Sequence, residues 1–226
     1  MIGEGVAIAG VLAGRPKKIL KMAEMAKEDG ADTLELRFDK IKVNKDEAVR
    51  LLKEIKRVGL SIIGTKRPAF PGEDRKGFFS AIIPFVDAVD LEVEEKTENI
   101  VSMVKAKGKE VIISYHNYEE TPETEILKDI LDSMRKKGAD IVKIATFIKN
   151  KEDLVNLLLL TNSYKTLPII TIGMGEIGRI SRIIAPIFGS CLTYGYINKP
   201  QAPGQMKVST LKKEIERLYV CSNSRR

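Results

Sequence analysis

The sequence predicts an α/β fold, a single (β/α)8 barrel spanning residues 1–226. Three observations predict it. Eight short β-branched runs alternate with eight amphipathic stretches, the count of such a barrel in a chain of 226 residues. Glycine, proline or a capping residue punctuates the junctions. Charged residues recur at the C-terminal ends of the runs, where a barrel builds its active site. A doubly wound sheet is the structural alternative, but it more usually has about five to seven strands and needs no second inward face.

The elements follow in order. A strand at Val6–Gly10 precedes a helix over about Pro16–Asp29, whose Lys17, Lys18, Lys21, Glu24, Lys27 and Glu28 read as a solvated face. The second strand, Thr33–Phe38, sets Thr33, Glu35, Arg37 and Asp39 on one side and Leu34, Leu36 and Phe38 on the other. In a barrel the apolar set meets the helices and the charged set points inward. An antiparallel sheet with one wet face gives the same alternation in isolation. Asn44 precedes the helix Lys45–Val58 and Gly59 follows it. In the third strand, Ser61–Thr65, Ser61, Ile63 and Thr65 share a face that continues to Arg67. A helix at Phe78–Phe85 leads to the fourth strand, Ala88–Glu92, where Asp90 and Glu92 share a face. Then come a helix at Lys96–Lys107 and the fifth strand, Val111–His116, with Ser114 and His116 on one side. Pro122 is tolerated near a helix start, so Thr121-Pro122-Glu123-Thr124 opens the helix Thr124–Lys137. Gly30, Gly108 and Gly138 end helices. The remaining pairs are Ile141–Thr146 with Lys151–Ser163, Pro168–Ile172 with Ile177–Phe188, and Cys191–Tyr196 with Met206–Tyr219; residues 222–226 are expected to fray.

Composition narrows the function. At 43% apolar residues the chain can bury a sizeable core, and it holds no run long enough to span a membrane. The start, Met1-Ile-Gly-Glu4, carries no basic segment followed by an apolar one, so no signal peptide is expected and the location reads as cytoplasmic. Cys191 and Cys221 form no metal or redox motif and read as two reduced thiols. The net charge of +7 is spread among acids, and aromatics are 6%, which disfavours nucleic acid as a partner. A mild positive field still attracts a small carboxylate.

Two residues carry the chemistry. Lys143 lies inside the apolar run Asp140-Ile-Val-Lys-Ile-Ala-Thr146, and His116, the chain's one histidine, closes the run before it. Burial penalises an ammonium and pushes a lysine toward the free amine, a nucleophile for carbonyl carbon. A histidine one strand away supplies an acid/base near neutrality. Taken alone, a strand lysine is more often a surface residue, and many histidines are structural. Their places at consecutive strand ends favour Schiff-base chemistry, which needs no metal or organic cofactor.

Gly173-Met-Gly-Glu-Ile-Gly178 matches a dinucleotide fingerprint, but it follows the seventh strand with no acidic strand end about 20 residues on, so the Rossmann reading fails. In a barrel the same loop makes an anion site from backbone N–H groups, to which Arg182 adds a clamp. An exposed helix arginine is the bland reading. Ala202-Pro-Gly-Gln205 is a shaped loop over the barrel mouth or an ordinary turn.

These residues resemble the type I 3-dehydroquinate dehydratases. The matching pieces are Glu35-Leu-Arg37, Arg67, Ser-Tyr-His116-Asn, Val-Lys143-Ile-Ala, Met-Gly-Glu-Ile-Gly-Arg-Ile-Ser-Arg182 and Ala-Pro-Gly-Gln205, in order along nearly the whole chain. The resemblance implies a homodimeric barrel that dehydrates 3-dehydroquinate through a lysine Schiff base. It makes Lys143 the imine-forming lysine and His116 the proton shuttle. Glu35, Arg37, Arg67, Arg182 and Gln205 would hold the substrate, with Gln201 standing where the family often has serine. The family's loop glutamate, which helps orient the histidine, falls at Pro71, with Glu73 nearby. Two other readings compete: a class I aldolase-type barrel, and a non-catalytic barrel that binds a carboxylated metabolite.

Overall fold

The computed structural model describes residues 6–68 and 73–223. The strands are β1 (Ala7–Leu12), β2 (Thr33–Arg37), β3 (Ser61–Thr65), β4 (Ala88–Glu92), β5 (Glu110–Asn117), β6 (Ile141–Phe147), β7 (Ile169–Met174), β8 (Leu192–Tyr196) and the short β9 (Met206–Lys207). The helices are α1 (Pro16–Glu28), α2 (Lys45–Ile55), α3 (Arg75–Ile82), α4 (Glu98–Ala106), α5 (Thr124–Lys136), α6 (Lys151–Ser163), α7 (Gly175–Gly178), α8 (Ser181–Ile184) and α9 (Val208–Asn223).

All strand pairs are parallel, in the order β7-β6-β5-β4-β3-β2-β1-β8-β9. The sheet curls until a bridge between Ile169 and Ser190, with Cys191 N–H donating to the Ile169 carbonyl at 2.8 Å, joins its ends between β7 and β8. The doubly wound alternative is thereby excluded.

Strand periodicity sorts the core into two shells. Ala9, Val11, Ile63, Ala88, Ile112, Ile141, Ala145, Ile170 and Leu192 pack inside the barrel. Leu34, Leu36, Ile62, Leu91, Ile113, Val142 and Ile144 face outward and pack with the helices. Each fully buried aliphatic contributes roughly 1.5–3 kcal/mol. The outer shell is therefore large enough to carry charges buried in the upper inner layer.

Local signals fix several junctions. Asn44 and Glu47 form a reciprocal cap on α2: the Asn44 side chain accepts from Glu47 N–H at 3.0 Å, and Glu47 accepts from Asn44 N–H at 2.9 Å. Gly138, which follows α5, has φ +90°, a conformation that costs an L side chain about 1–2 kcal/mol.

Some boundaries differ from expectation. β1 begins one residue later and runs two further, to Leu12. α3 starts at Arg75, capped by the Asp74 side chain on Gly77 N–H at 2.8 Å, and a 3-10 turn follows at Ile83–Phe85. The single helix expected over Ile177–Phe188 is α7, α8 and a 3-10 turn at Ala185–Phe188. The break has a cause: Ser181 Oγ donates to the Gly178 carbonyl at 2.6 Å and accepts from Gly173 N–H at 2.7 Å, pulling the chain back onto β7. Met206 and Lys207 extend the sheet beside Gly195 and Tyr196 rather than starting a helix. Among the described residues no helix is long and apolar enough to cross a membrane.

Candidate active site

A cavity of about 220 Å³ opens among the inward-facing side chains at the C-terminal ends of the strands. Lys143, His116, Glu35, Arg37, Arg67, Arg182, Gln201 and Gln205, all eight residues singled out from the sequence, line it. Parity brings the reactive pair together. Ser114 is the register partner of Lys143 and His116 that of Ala145, and both strands turn this residue set inward.

The Lys143 side chain is 5% exposed, and its Nζ donates to Asp90 Oδ2 at 2.9 Å. The ring of Tyr194 lies on it at 4.1 Å from Nζ to centroid. The buried amine is therefore paired with a buried carboxylate, and its desolvation is not uncompensated. Asp90 is fully buried and also accepts from Arg67 NH2 at 2.8 Å and Ser114 Oγ at 2.6 Å. Burial would raise its pKa, but Arg67 first and then Lys143 hold the carboxyl well below the usual range.

Arg67 is largely spent inside the protein. Its Nε donates to Glu92 at 2.9 Å, NH1 to the Asp90 carbonyl at 3.1 Å, and NH2 to both Asp90 and Ser114. His116 Nδ1 lies 2.9 Å from Glu92 Oε1, and its ring stacks on Tyr118 with a 14° interplanar angle. With Nδ1 engaged, Nε2 is the nitrogen left for chemistry. The expected loop position, Pro71, lies outside the described residues. Glu73 pairs with Lys66 at 2.6 Å, and the carboxylate on His116 is Glu92 of β4.

The remaining polar groups divide by how committed they are. Glu35 is buried and accepts from Thr65 Oγ1 at 2.9 Å. Arg37 forks onto Asp39 at 3.0 and 2.8 Å. Arg182 is 2% exposed and, among the described residues, donates to carbonyls alone: Gly204 at 3.1 Å, Tyr194 at 3.2 Å and Pro203 at 3.4 Å. Burial with no opposing carboxylate lowers its pKa to about 10. Of the three arginines on the cavity, Arg182 is thus the one whose charge remains to be matched by a ligand anion.

The sequence expects a backbone anion site at the glycines of 173–178, but the structure packs these glycines against their own loop. A Cβ on Gly178 would stand 2.5 Å from the Gly173 carbonyl carbon, and one on Gly204 would stand 2.3 Å from the Gly175 oxygen. Their smallness lets the β7 loop pack on itself and on the 202–205 loop, and none of them lines the cavity. The 202–205 loop is braced by Gln205, whose Oε1 accepts from Gln201 N–H at 2.6 Å.

Strand parity sets Asp90, Glu92 and Ser114 on inward faces, and only their contacts across strands show what they hold. Tyr194 stands two residues beyond the inward-facing Leu192, and the same period of two finds it.

The family model for type I 3-dehydroquinase matches residues 9–220. The chain is similar to a 3-dehydroquinate dehydratase from Methanococcoides burtonii, 39% identical over 94% of each chain. It is also similar to two solved 3-dehydroquinate dehydratases. That from Geobacillus kaustophilus superposes with a TM-score of 0.89 at 26% identity, covering 96% of this chain and 93% of the other. That from Clostridium difficile, a type I enzyme with covalently modified comenic acid, gives 0.88 at 30% identity over 97% and 95%.

Proposed function

The chain belongs to the type I 3-dehydroquinase family, and from that premise we propose that it dehydrates 3-dehydroquinate to 3-dehydroshikimate through an imine on Lys143. One observation carries the reading: a buried amine, an imidazole held by a carboxylate, and an arginine with no acid partner among the described residues line one small cavity.

Arg182 takes the substrate carboxylate, which fixes the ring in the cavity. Glu35, Arg37, Gln201 and Gln205 line the same cavity; the first two take the ring hydroxyls in this reading and the glutamines its mouth. Nζ gives up a proton to the neutral His116 while Asp90 stays ionised beside Arg67. The amine adds to the ketone carbon; the carbinolamine hydroxyl takes the proton that His116 holds and leaves as water, giving the iminium and a free imidazole. Its positive nitrogen draws electrons from the adjacent C–H. His116 Nε2 removes that proton and an enamine forms. The enamine then expels the β-hydroxyl, which takes the proton from His116 and leaves as water. Water hydrolyses the conjugated iminium, releasing product and the lysine. A second copy of the chain and a cytoplasmic setting belong to the same reading and rest on the family.

The test is borohydride reduction in the presence of 3-dehydroquinate, followed by peptide mapping. A substrate-derived adduct on Lys143, with loss of water in the product, is expected. Absence of the adduct overturns the imine, and release of an aldehyde favours aldolase chemistry. Binding without turnover or adduct marks a metabolite-binding barrel.

A further inference from the structure

We propose that Tyr194 is a further catalytic residue, whose ring face stabilises the cationic nitrogen that Lys143 carries as an imine. The proposal rests on the imine reading above.

Tyr194 is buried in the inner shell and lines the cavity. Its ring centroid is 4.1 Å from Lys143 Nζ, well within the range of about 6 Å over which an aromatic face attracts a cation. The attraction is strongest where water is excluded, and the Lys143 side chain is 5% exposed. Its position is fixed at the backbone as well, because the Tyr194 carbonyl accepts from Arg182 NH1 at 3.2 Å.

The nitrogen has two anchors of different kinds. Asp90 holds it by a hydrogen bond at 2.9 Å and the ring by its quadrupole. A lysine ammonium has three N–H bonds, whereas its protonated imine has one. The change costs hydrogen-bonding capacity but leaves the positive charge in place. An aromatic face needs no N–H, and a planar iminium lies flat against it with its charge shared between carbon and nitrogen, so the ring holds the iminium better than the tetrahedral ammonium. The neutral carbinolamine and enamine gain nothing from it. Tyr194 therefore raises the population of the states that act as electron sinks.

The ring acts as a neutral phenol. Its hydroxyl is buried with no hydrogen-bond partner among the described residues. Burial, and then Glu35 and Asp90, raise its pKa well above the ordinary value, so it is not a phenolate base. Tyr194→Phe keeps the face and removes the orphaned hydroxyl, which makes it the reference for a test of the ring alone.

The experiment places phenylalanine and its mono-, di- and trifluorinated analogues at position 194. Fluorine weakens the ring's negative face stepwise at nearly constant volume. The readout is the equilibrium constant for imine formation on Lys143, from borohydride trapping across 3-dehydroquinate concentrations. A stepwise fall, on the order of tenfold across the series, is expected while melting temperatures stay level. Tyr194→Leu should fall at least as far. A flat response across the fluorinated series overturns the proposal while leaving the imine intact. Absence of any adduct on Lys143 in the unmodified protein overturns the imine reading itself and this proposal with it.

Discussion

Glu92 holds His116 and Arg67 with the same oxygen: Oε1 lies 2.9 Å from His116 Nδ1 and 2.9 Å from Arg67 Nε. Arg67 in turn reaches Asp90, and Asp90 reaches Lys143. The two reactive side chains therefore stand at the ends of one network of alternating charge. The middle of that network fixes their spacing and keeps Asp90 ionised.

Glu92→Gln should lower turnover by roughly ten- to a hundredfold, a fraction of what general acid–base catalysis supplies, with little change in KM. The borohydride adduct on Lys143 should persist. In a His116→Ala background the same substitution should add far less than it costs the wild type, because the larger part of its effect runs through the imidazole and the rest through Arg67. Steady-state kinetics of the two single variants and the double variant check this, and additive losses would contradict it.

Lys143→Ala should remove both turnover and adduct while the barrel still folds. Asp90 keeps Arg67 and Ser114 as partners, so the stability loss should fall below the about 3–5 kcal/mol of a wholly orphaned buried charge. Urea unfolding followed by circular dichroism measures it. Retained turnover would show that the imine is not on the path.

Arg182→Lys keeps the charge but loses the fork. KM for 3-dehydroquinate should rise roughly ten- to a hundredfold, the worth of one or two charge-assisted hydrogen bonds, with a smaller effect on kcat. An unchanged KM would mean that the substrate carboxylate sits elsewhere.

Gly204→Ala tests the loop that positions this arginine. Gly204 has φ +69°, and an added Cβ would meet the Gly175 oxygen at 2.3 Å. The strain costs at least about 1 kcal/mol. Relief by moving the loop displaces the Pro203 and Gly204 carbonyls that Arg182 uses. KM should rise and the melting temperature fall together; wild-type values for both would show that the close approach is not needed.

Much of this was legible because barrel strands repeat every two residues. That period placed Glu35 and Arg37, Asp90 and Glu92, and Ser114 and His116 inward, and set Lys143 opposite the outward Val142 and Ile144. What stayed hidden depends on distance along the chain. The partner of Lys143 lies 53 residues away and that of His116 lies 24 away, across strand neighbours whose register no local pattern specifies. The glycines after β7 look like an anion loop in sequence, yet their spacing serves contact with Gly204, which only the closed barrel brings near. The break between α7 and α8 depends on a serine folding back onto a strand rather than on a helix-breaking residue.

Acid should expose the cost of assembling this network. Asp90 has a folded pKa well below its ordinary 3.8. Its stabilisation is therefore complete above that value and lost as pH falls below it toward the folded pKa. Asp90→Asn removes the contribution and leaves Lys143 and Arg67 short of a carboxylate. Near neutrality the variant should be less stable by about 3–5 kcal/mol. The gap from wild type should stay level down to about pH 5 and narrow below about pH 4, because only the wild type has a carboxylate left to protonate. Paired urea titrations across that range measure the gap. A gap that widens in acid would place the folded pKa above the ordinary value and remove the ionised Asp90 on which the Lys143 environment depends.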